Sequence, residues 1–305
     1  MKYCFIINPA SGKKDTKEGL ESRIKEAAGR AGADVTVVYT KKAGDAIELA
    51  ASFCADNPDG ELAVIACGGD GTLGEAVNGV MSVPDRERIC VGVIPVGTGN
   101  DFVRNFCGSE TFFDLDALFA ATPTRIDLIK YNDGYAVNMI NIGFDCQVVV
   151  KMADFKAHVP SKLAYICGLV ATLVKKPGVS VQITDADGTK KRELLLCTFA
   201  NGQFCGGGFH SNPNAKLCDG RINALFVNNI SRTKFVGLVG SYKSGTHLTE
   251  KNANILEESF SERYELNFDA PTSISVDGEI HTVQSLCLEC VNDAIGFLVP
   301  RRENK

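Results

Sequence analysis

No stretch of this sequence is long and apolar enough to span a bilayer. The longest apolar run, Leu163–Val174, falls well short of the roughly 20 residues that a spanning helix needs, so any membrane contact is expected to be peripheral. The apolar opening Tyr3–Ile7 stops at Asn8-Pro9, too soon for the core of a signal peptide. A basic excess is missing as well: 32 Lys and Arg face 37 Asp and Glu, a net charge of −5. That argues against a dedicated nucleic-acid binder while leaving room for a local basic patch. Histidine is scarce, and His158, His210, His247 and His281 have no paired spacing. Cys287-x-x-Cys290 is the only CxxC, in a strand-like stretch where residues three apart point to opposite faces. Nothing completes a zinc site. A Walker A loop is absent, because its first glycine would fall at Ile7, and no Gly-x-Gly-x-x-Gly follows the first strand.

What is present is enough for a globular protein of about two domains: 305 residues, 45% hydrophobic, with no need of staples. The 12 cysteines are scattered, several inside apolar runs, and read as reduced thiols in a cytoplasmic setting. Strand and helix patterns alternate through the first third: strands at Tyr3–Ile7, Val35–Tyr39, Leu62–Cys67 and Ile89–Ile94, and helices at Thr16–Ala31, Ala43–Ala55, Thr72–Met81 and from near Asn100. This rhythm predicts an α/β N-terminal domain with a parallel sheet. Asn8, Gly68 and Pro95 directly follow or close strands, so their loops are expected to gather at the carboxyl edge, where ligands bind in such sheets.

From about Arg125 the pattern becomes short strands, at Arg125–Tyr131, Tyr135–Ile142, Val179–Thr184, Glu193–Ala200, Arg221–Val227, Glu265–Asp269, Ser273–Val276 and Ser285–Cys290, with helical segments at Lys162–Lys175 and Lys234–Ser244. Turn signals Asp187-Gly188 and Asp277-Gly278 separate them. A mainly antiparallel β domain is expected.

Three segments carry chemistry. In Gly68-Gly69-Asp70-Gly71-Thr72, glycines let backbone N–H groups approach an anion and the following helix presents its positive end. Asp70 is an odd choice for a loop that only binds phosphate, and points to Mg²⁺ bridging acid and nucleotide. By itself this segment reads equally well as a plain strand-to-helix turn. Pro95-Val96-Gly97-Thr98-Gly99-Asn100-Asp101 repeats the design, and two such loops at one edge favour a phosphate-binding mouth. Asn8-Pro9-Ala10-Ser11-Gly12-Lys13 follows the first strand; Lys13 and Lys14 are within reach of a phosphate there, although exposed lysines at a helix start are usually just solvated.

Together these segments resemble the diacylglycerol kinase catalytic family, which includes bacterial diacylglycerol kinases and sphingosine and ceramide kinases. The resemblance rests on Asn8-Pro9-x-Ser11-Gly12, Gly68–Leu73 with Glu75 and Asn78-Gly79, and Pro95–Phe102 with Arg104. It continues through Asn138–Asp145, Asn201-Gly202, Gly206–Gly208, Pro213–Gly220 and Val276–Glu279. It implies a nucleotide-binding α/β domain, residues 1–125 with a returning segment 291–305, and a β-sandwich lipid-substrate domain, residues 126–290. It implies ATP as co-substrate, with nucleotide contacts at Asn8, Pro9, Ser11, Gly12, Lys13, Thr40, Gly68, Gly69, Asp70, Gly71, Thr72, Leu73, Glu75, Gly97, Thr98, Gly99 and Asn100. Asp70, Asp101 and Asp127 would serve a catalytic Mg²⁺ network. Glu279 matches the general base, with Asp277 close behind it. The Asp219 carboxylate with the carbonyls of Lys216 and Arg221 resembles a structural Mg²⁺ site. Gly74 stands where the family usually has Asn, and Cys218 where many members have an acid.

A carboxylate at Glu279 suits the chemistry, because a lipid hydroxyl needs a base to take its proton. Without the resemblance, turn statistics favour a type I′ hairpin at Asp277-Gly278 with Glu279 solvated. The expected reaction is phosphoryl transfer from ATP to a lipid hydroxyl, diacylglycerol first. Phosphorylation of NAD and non-catalytic binding of nucleotide or lipid are the alternatives, and a homodimer is left open. The helices Leu163–Val174 and Lys234–Lys243 read first as packed on the β domain and second as contacts with the inner face of the membrane.

Overall fold

The computed structural model describes residues 1–12, 19–106, 109–144 and 178–301. Lys13 and the expected helix Lys162–Lys175 lie outside them. The chain divides into two compact units, Met1–Leu128 with Asn292–Lys305, and Ile129–Val291.

The first unit is built on strands β1 (Lys2–Ile7), β2 (Asp34–Tyr39), β3 (Leu62–Gly68) and β4 (Ile89–Pro95). β1 pairs in parallel with β2 and β3, and β3 with β4. The end of β13 (Glu279–Leu298) adds in parallel beside β4, Gly296 opposite Cys90. β1, β3 and β4 are almost wholly buried, the mark of strands covered on both faces. Tyr3, Phe5 and Ile7 face a core closed by Leu20 and Ile24 of α1 (Leu20–Ala31) and by Leu115 and Leu118 of α4 (Leu115–Phe119). Helices α2 (Asp45–Asp56) and α3 (Asp70–Met81) pack together. A Cβ on Gly79 of α3 would lie 2.4 Å from the Ile47 carbonyl oxygen. The register sets Ile7 opposite both Tyr39 and Cys67, and Gly68 opposite Pro95, so the loops after these strands leave from one edge.

The second unit holds β5 (Pro123–Tyr131, from Ile129 onward), β6 (Gly134–Ala136), β7 (Met139–Gly143), β8 (Val179–Asp185), β9 (Gly188–Ala200), β10 (Ile222–Asn228), β11 (Leu256–Ser261), β12 (Arg263–Val276) and β13 up to Val291. The pairs β10–β11, β9–β10, β7–β9, β7–β12, β8–β12, β8–β9 and β12–β13 are all antiparallel. Alternate residues such as Ile140, Ile142, Phe199, Phe226, Ile274 and Val276 form the core. α5 (Arg232–Ser244) packs Phe235, Leu238 and Tyr242 against Phe144, Leu195 and Leu225. The helix expected at Lys234–Ser244 is therefore a packed one, with Val236 exposed.

Several expected elements take another form. The two strands Glu265–Asp269 and Ser273–Val276 are one strand, β12, with its register broken between Asn267 and Thr272; Pro271, which cannot donate to a ladder, sits in the break. The stretch Tyr135–Ile142 is two strands, interrupted where the Val137 and Asn138 amides turn to the Asp277 carboxylate. The helix expected near Asn100 is a short 3₁₀ turn, Phe102–Asn105, because Asn100 is left-handed at φ 50°. Among the described residues no helix is long and apolar enough to cross a membrane. Described cysteines are free thiols, and burial pushes Cys4 up to about 12 and Cys54 up to about 11.

Candidate active site

In the first unit three loops interlock at the strand tips. The Asn8 side-chain amide donates to Thr72 Oγ1 at 3.0 Å, while its Oδ1 accepts from the Ala10 amide at 2.9 Å. Gly12 passes directly over the third loop: a Cβ there would lie 1.7 Å from the Val96 carbonyl oxygen. Gly97 donates its N–H to the Gly68 carbonyl at 3.0 Å, and a Cβ on it would lie 2.4 Å from Gly69 Cα. Only glycine permits such backbone approaches. Gly69 precedes α3 and no side chain caps that helix, so the amides of Gly71 and Thr72 in its first turn lack intrahelical partners.

Asp70 ties the second loop to the third. Its Oδ2 accepts from the Asp101 amide at 3.0 Å and its Oδ1 from the Phe102 amide at 3.1 Å. Burial nonetheless pushes its pKa above the ordinary carboxylate value, against the pull of these donors and of Arg104. Asp101 is buried and pairs with Arg104 at 3.2 Å. A Cβ on Gly99 would lie 3.2 Å from Asp70 Oδ2 and 3.8 Å from Asp101 Oδ2, so the two carboxylates flank one bare glycine. That arrangement fits Mg²⁺, which commonly uses one or two carboxylates together with substrate phosphates. Asp127 is placed differently: fully buried, its Oδ1 accepts from the Asp293 amide at 2.8 Å, while Arg125 donates to the Asp293 carbonyl. It pins β13 where Asp293 turns left-handed at φ 47°. Among the described residues no three His, Cys, Asp or Glu side chains group as a metal site.

Two expected nucleotide contacts have other occupations. Leu73 is buried in the core and its N–H donates to Gly69. Glu75 accepts from the Gly44 and Ala46 amides at 2.9 and 3.1 Å, closing the bare N-terminus of α2. Thr40 is buried, its N–H on the Ile7 carbonyl at 3.0 Å, whereas Thr98 is exposed. The Asn100 amide bridges the carbonyls of Pro95 and Gly97 at 2.7 and 2.9 Å, holding the third loop closed.

In the second unit Val276 pairs with Glu279 across the two-residue turn Asp277-Gly278. Both turn residues have positive φ, 48° and 95°, a type I′ geometry. The Asp277 carboxylate accepts three amides, Val137 at 2.7 Å, Asn138 at 3.0 Å and Met139 at 2.9 Å. Asn201 braces the same strand tip, donating from its side chain to the Val137 carbonyl at 3.0 Å. Glu279 is exposed at the start of β13. The resemblance and the Asp277-Gly278 turn signal point to Asp277 but not to its three amide donors, which lie about 140 residues away in the chain and leave no local signal. Asp219 is exposed and accepts from the Arg221 amide at 3.2 Å, beside Lys216 in the turn that leads into β10.

The diacylglycerol kinase catalytic domain matches residues 2–131, and the YegS C-terminal NAD kinase beta sandwich-like domain matches residues 138–299. The chain belongs to the diacylglycerol kinase family. A diacylglycerol kinase of Staphylococcus saprophyticus is 30% identical over 80% of this chain and 78% of its own length. One from Staphylococcus epidermidis is 29% identical over 90% of this chain and 84% of its own. The crystal structure of a diacylglycerol kinase from Bacillus anthracis shares the fold at a TM-score of 0.74, with 20% identity, covering 97% of this chain and 96% of that one. Within this diacylglycerol kinase family fold, the interlocked loops lie in the catalytic-domain match and the Asp277 turn in the sandwich-like match.

Proposed function

We propose that the protein transfers the γ-phosphoryl group of ATP to the hydroxyl of a lipid, diacylglycerol first, giving phosphatidic acid. The observation that carries this reading is the mutual interlock of three glycine loops around Asp70. Free amides at the start of α3 and bare glycine backbones suit a triphosphate. The residues available to it are Asn8, Ser11, Gly12, Gly68, Gly69, Gly71, Thr72 and Gly97 through Asn100. Asp70 and Asp101 would hold Mg²⁺, which neutralises phosphate charge when bound. Asp219 and the carbonyls of Lys216 and Arg221 would hold a second, structural Mg²⁺. Glu279 accepts the proton of the attacking hydroxyl, and Asp277 positions the turn that carries it. Most of the rate comes from positioning and charge stabilisation, as in other phosphoryl transfers. The protein would work in the cytoplasm, resting on the inner face of the membrane.

The experiment is incubation of the purified protein with Mg²⁺-ATP and a panel of diacylglycerol, phosphatidylglycerol, sphingoid bases, ceramide and NAD, with products read by mass spectrometry. Phosphatidic acid is the expected product. Phosphorylated NAD, or no phosphorylated lipid at all, refutes the proposal. Glu279→Gln is expected to lose about 10²–10⁴-fold in kcat, the usual weight of a general base.

A further inference from the structure

The rim of the second unit carries a tyrosine that no motif singled out. Glu279, His281 and Val283 are alternate residues of β13 and so share one face. Tyr131 lies on that face: its ring meets the His281 ring edge-on with centroids 5.9 Å apart, and Tyr131 and Val283 pack against the same core cluster. The Gly134 backbone comes up close against the phenol. A Cβ there would lie 2.8 Å from the phenol oxygen, so the chain keeps the backbone bare where the hydroxyl passes. The phenol is half-buried, and a hydroxyl in that setting normally has a hydrogen-bond partner.

We propose that Tyr131 is a positioning residue for Glu279: in the loaded enzyme its O–H donates to the Glu279 carboxylate and keeps it ionised as the acceptor hydroxyl approaches. This rests on the reading of Glu279 as the base. Burial, followed by the charges of Asp277 and Glu279, raises the Tyr131 pKa above the ordinary phenol value. The phenol therefore remains a donor at every pH where a carboxylate base works. Asp277 is already committed to the strand tip, its carboxylate accepting three backbone amides, whereas Glu279 is exposed at the start of β13. A donor to the ionised form lowers an acid's pKa, so Tyr131 extends the working range of Glu279 toward lower pH.

Among the described residues, Tyr131, Asp277 and His281 are titratable groups gathered with Glu279 at this turn and on this face of β13. The test is the pH profile of kcat with saturating Mg²⁺-ATP and dioctanoylglycerol in mixed micelles. Tyr131→Phe is expected to move the acid limb up by about one pH unit, with the plateau at higher pH kept within about twofold. Gly134→Ala, which displaces the hydroxyl without removing the ring, is expected to move the limb the same way. A merely structural role would lower kcat equally at all pH values, and that result overturns the proposal. So does an unmoved limb in both variants, or a limb that vanishes in His281→Gln and thus belongs to the imidazole. Glu279→Gln is run alongside. If it keeps full activity, or if the wild-type protein leaves dioctanoylglycerol unphosphorylated, the base assignment itself fails and takes this inference with it. An inactive Glu279→Gln beside an unmoved Tyr131→Phe limb sinks the tyrosine alone.

Discussion

Gly97 and Gly69 stand backbone to backbone, so close that a Cβ on Gly97 would come within 2.4 Å of Gly69 Cα and 3.0 Å of Gly69 N. Gly97→Ala must force the second and third loops apart. Overpacking of this kind costs about 1–3 kcal/mol, and here the strain falls on the proposed phosphate cradle. The expected outcome is a lower urea midpoint together with at least about tenfold weaker Mg²⁺-ATP binding by calorimetry. Gly29→Ala is the control. Nothing lies within 4 Å of its added methyl, and in the last turn of α1 alanine is expected to keep or slightly raise stability. Equal behaviour of the two variants would mean that the loops are not interlocked.

Asp277→Asn tests the turn of the second unit. Asparagine tolerates the left-handed backbone at φ 48°, so the turn itself is spared. One amide oxygen can still accept from Asn138 and Met139, but the NH₂ group must then face the Val137 amide, which now sits 2.7 Å from a carboxylate oxygen. Donor would meet donor. A lost charged hydrogen bond with an unsatisfied amide costs about 2–3 kcal/mol, to be read as a fall in the urea midpoint without change in slope. An unchanged midpoint would remove Asp277 as the anchor of this strand tip.

The glycine loops were legible because glycine spacing after buried strands is a local signal. Their interlock was not, because Asn8 and Thr72, or Gly12 and Val96, meet across dozens of residues. Glu75 shows the limit of a motif: its position suggested nucleotide, yet its carboxylate closes the start of α2, a partner nothing nearby announces. β13 was seen only as Ser285–Cys290, because Asn292 and Asp293 look like a strand end. Asp293 does turn left-handed, but the buried Asp127 and the exposed Arg125 grip its backbone and the strand continues to Leu298. β11 was missed because it is an edge strand of mixed polarity, Leu256–Ser261, with few buried residues to reveal its period.

Asp70 is predicted to trade stability for function. Its folded pKa is raised by burial, so between the unfolded carboxylate value, about 3.9, and the folded value the native state binds more protons than the unfolded one. Stability from this group is therefore full at low pH and falls as pH rises through that window. Asp70→Asn is expected to flatten this part of the curve of melting temperature against pH and to abolish Mg²⁺-ATP turnover. A variant curve that parallels the wild type would show that the Asp70 charge carries no burial cost.

The last prediction concerns His247, which is fully buried beside the Ser241 and Ser211 backbone carbonyls. Its ring lies 5.0 Å from that of Tyr242. Burial pushes its pKa below the ordinary histidine value, and the Ser241 and Ser211 carbonyls and Glu258 do not offset this. The sign is the reverse of that for Asp70. The unfolded chain binds the proton first, near pH 6.5, so stability from this group is full above that pH and declines as pH falls through the window down to the folded value. His210, which burial also lowers, adds to the same slope. Melting temperature is expected to fall on acidification from about pH 7 to pH 5, before the bulk of the carboxylates titrate. His247→Gln is expected to lower stability at pH 7, because it removes a buried ring packed on Tyr242, yet to make the fall from pH 7 to pH 5 shallower. Gln and His curves of equal slope would mean that protonation of His247 does not drive the acid-side loss.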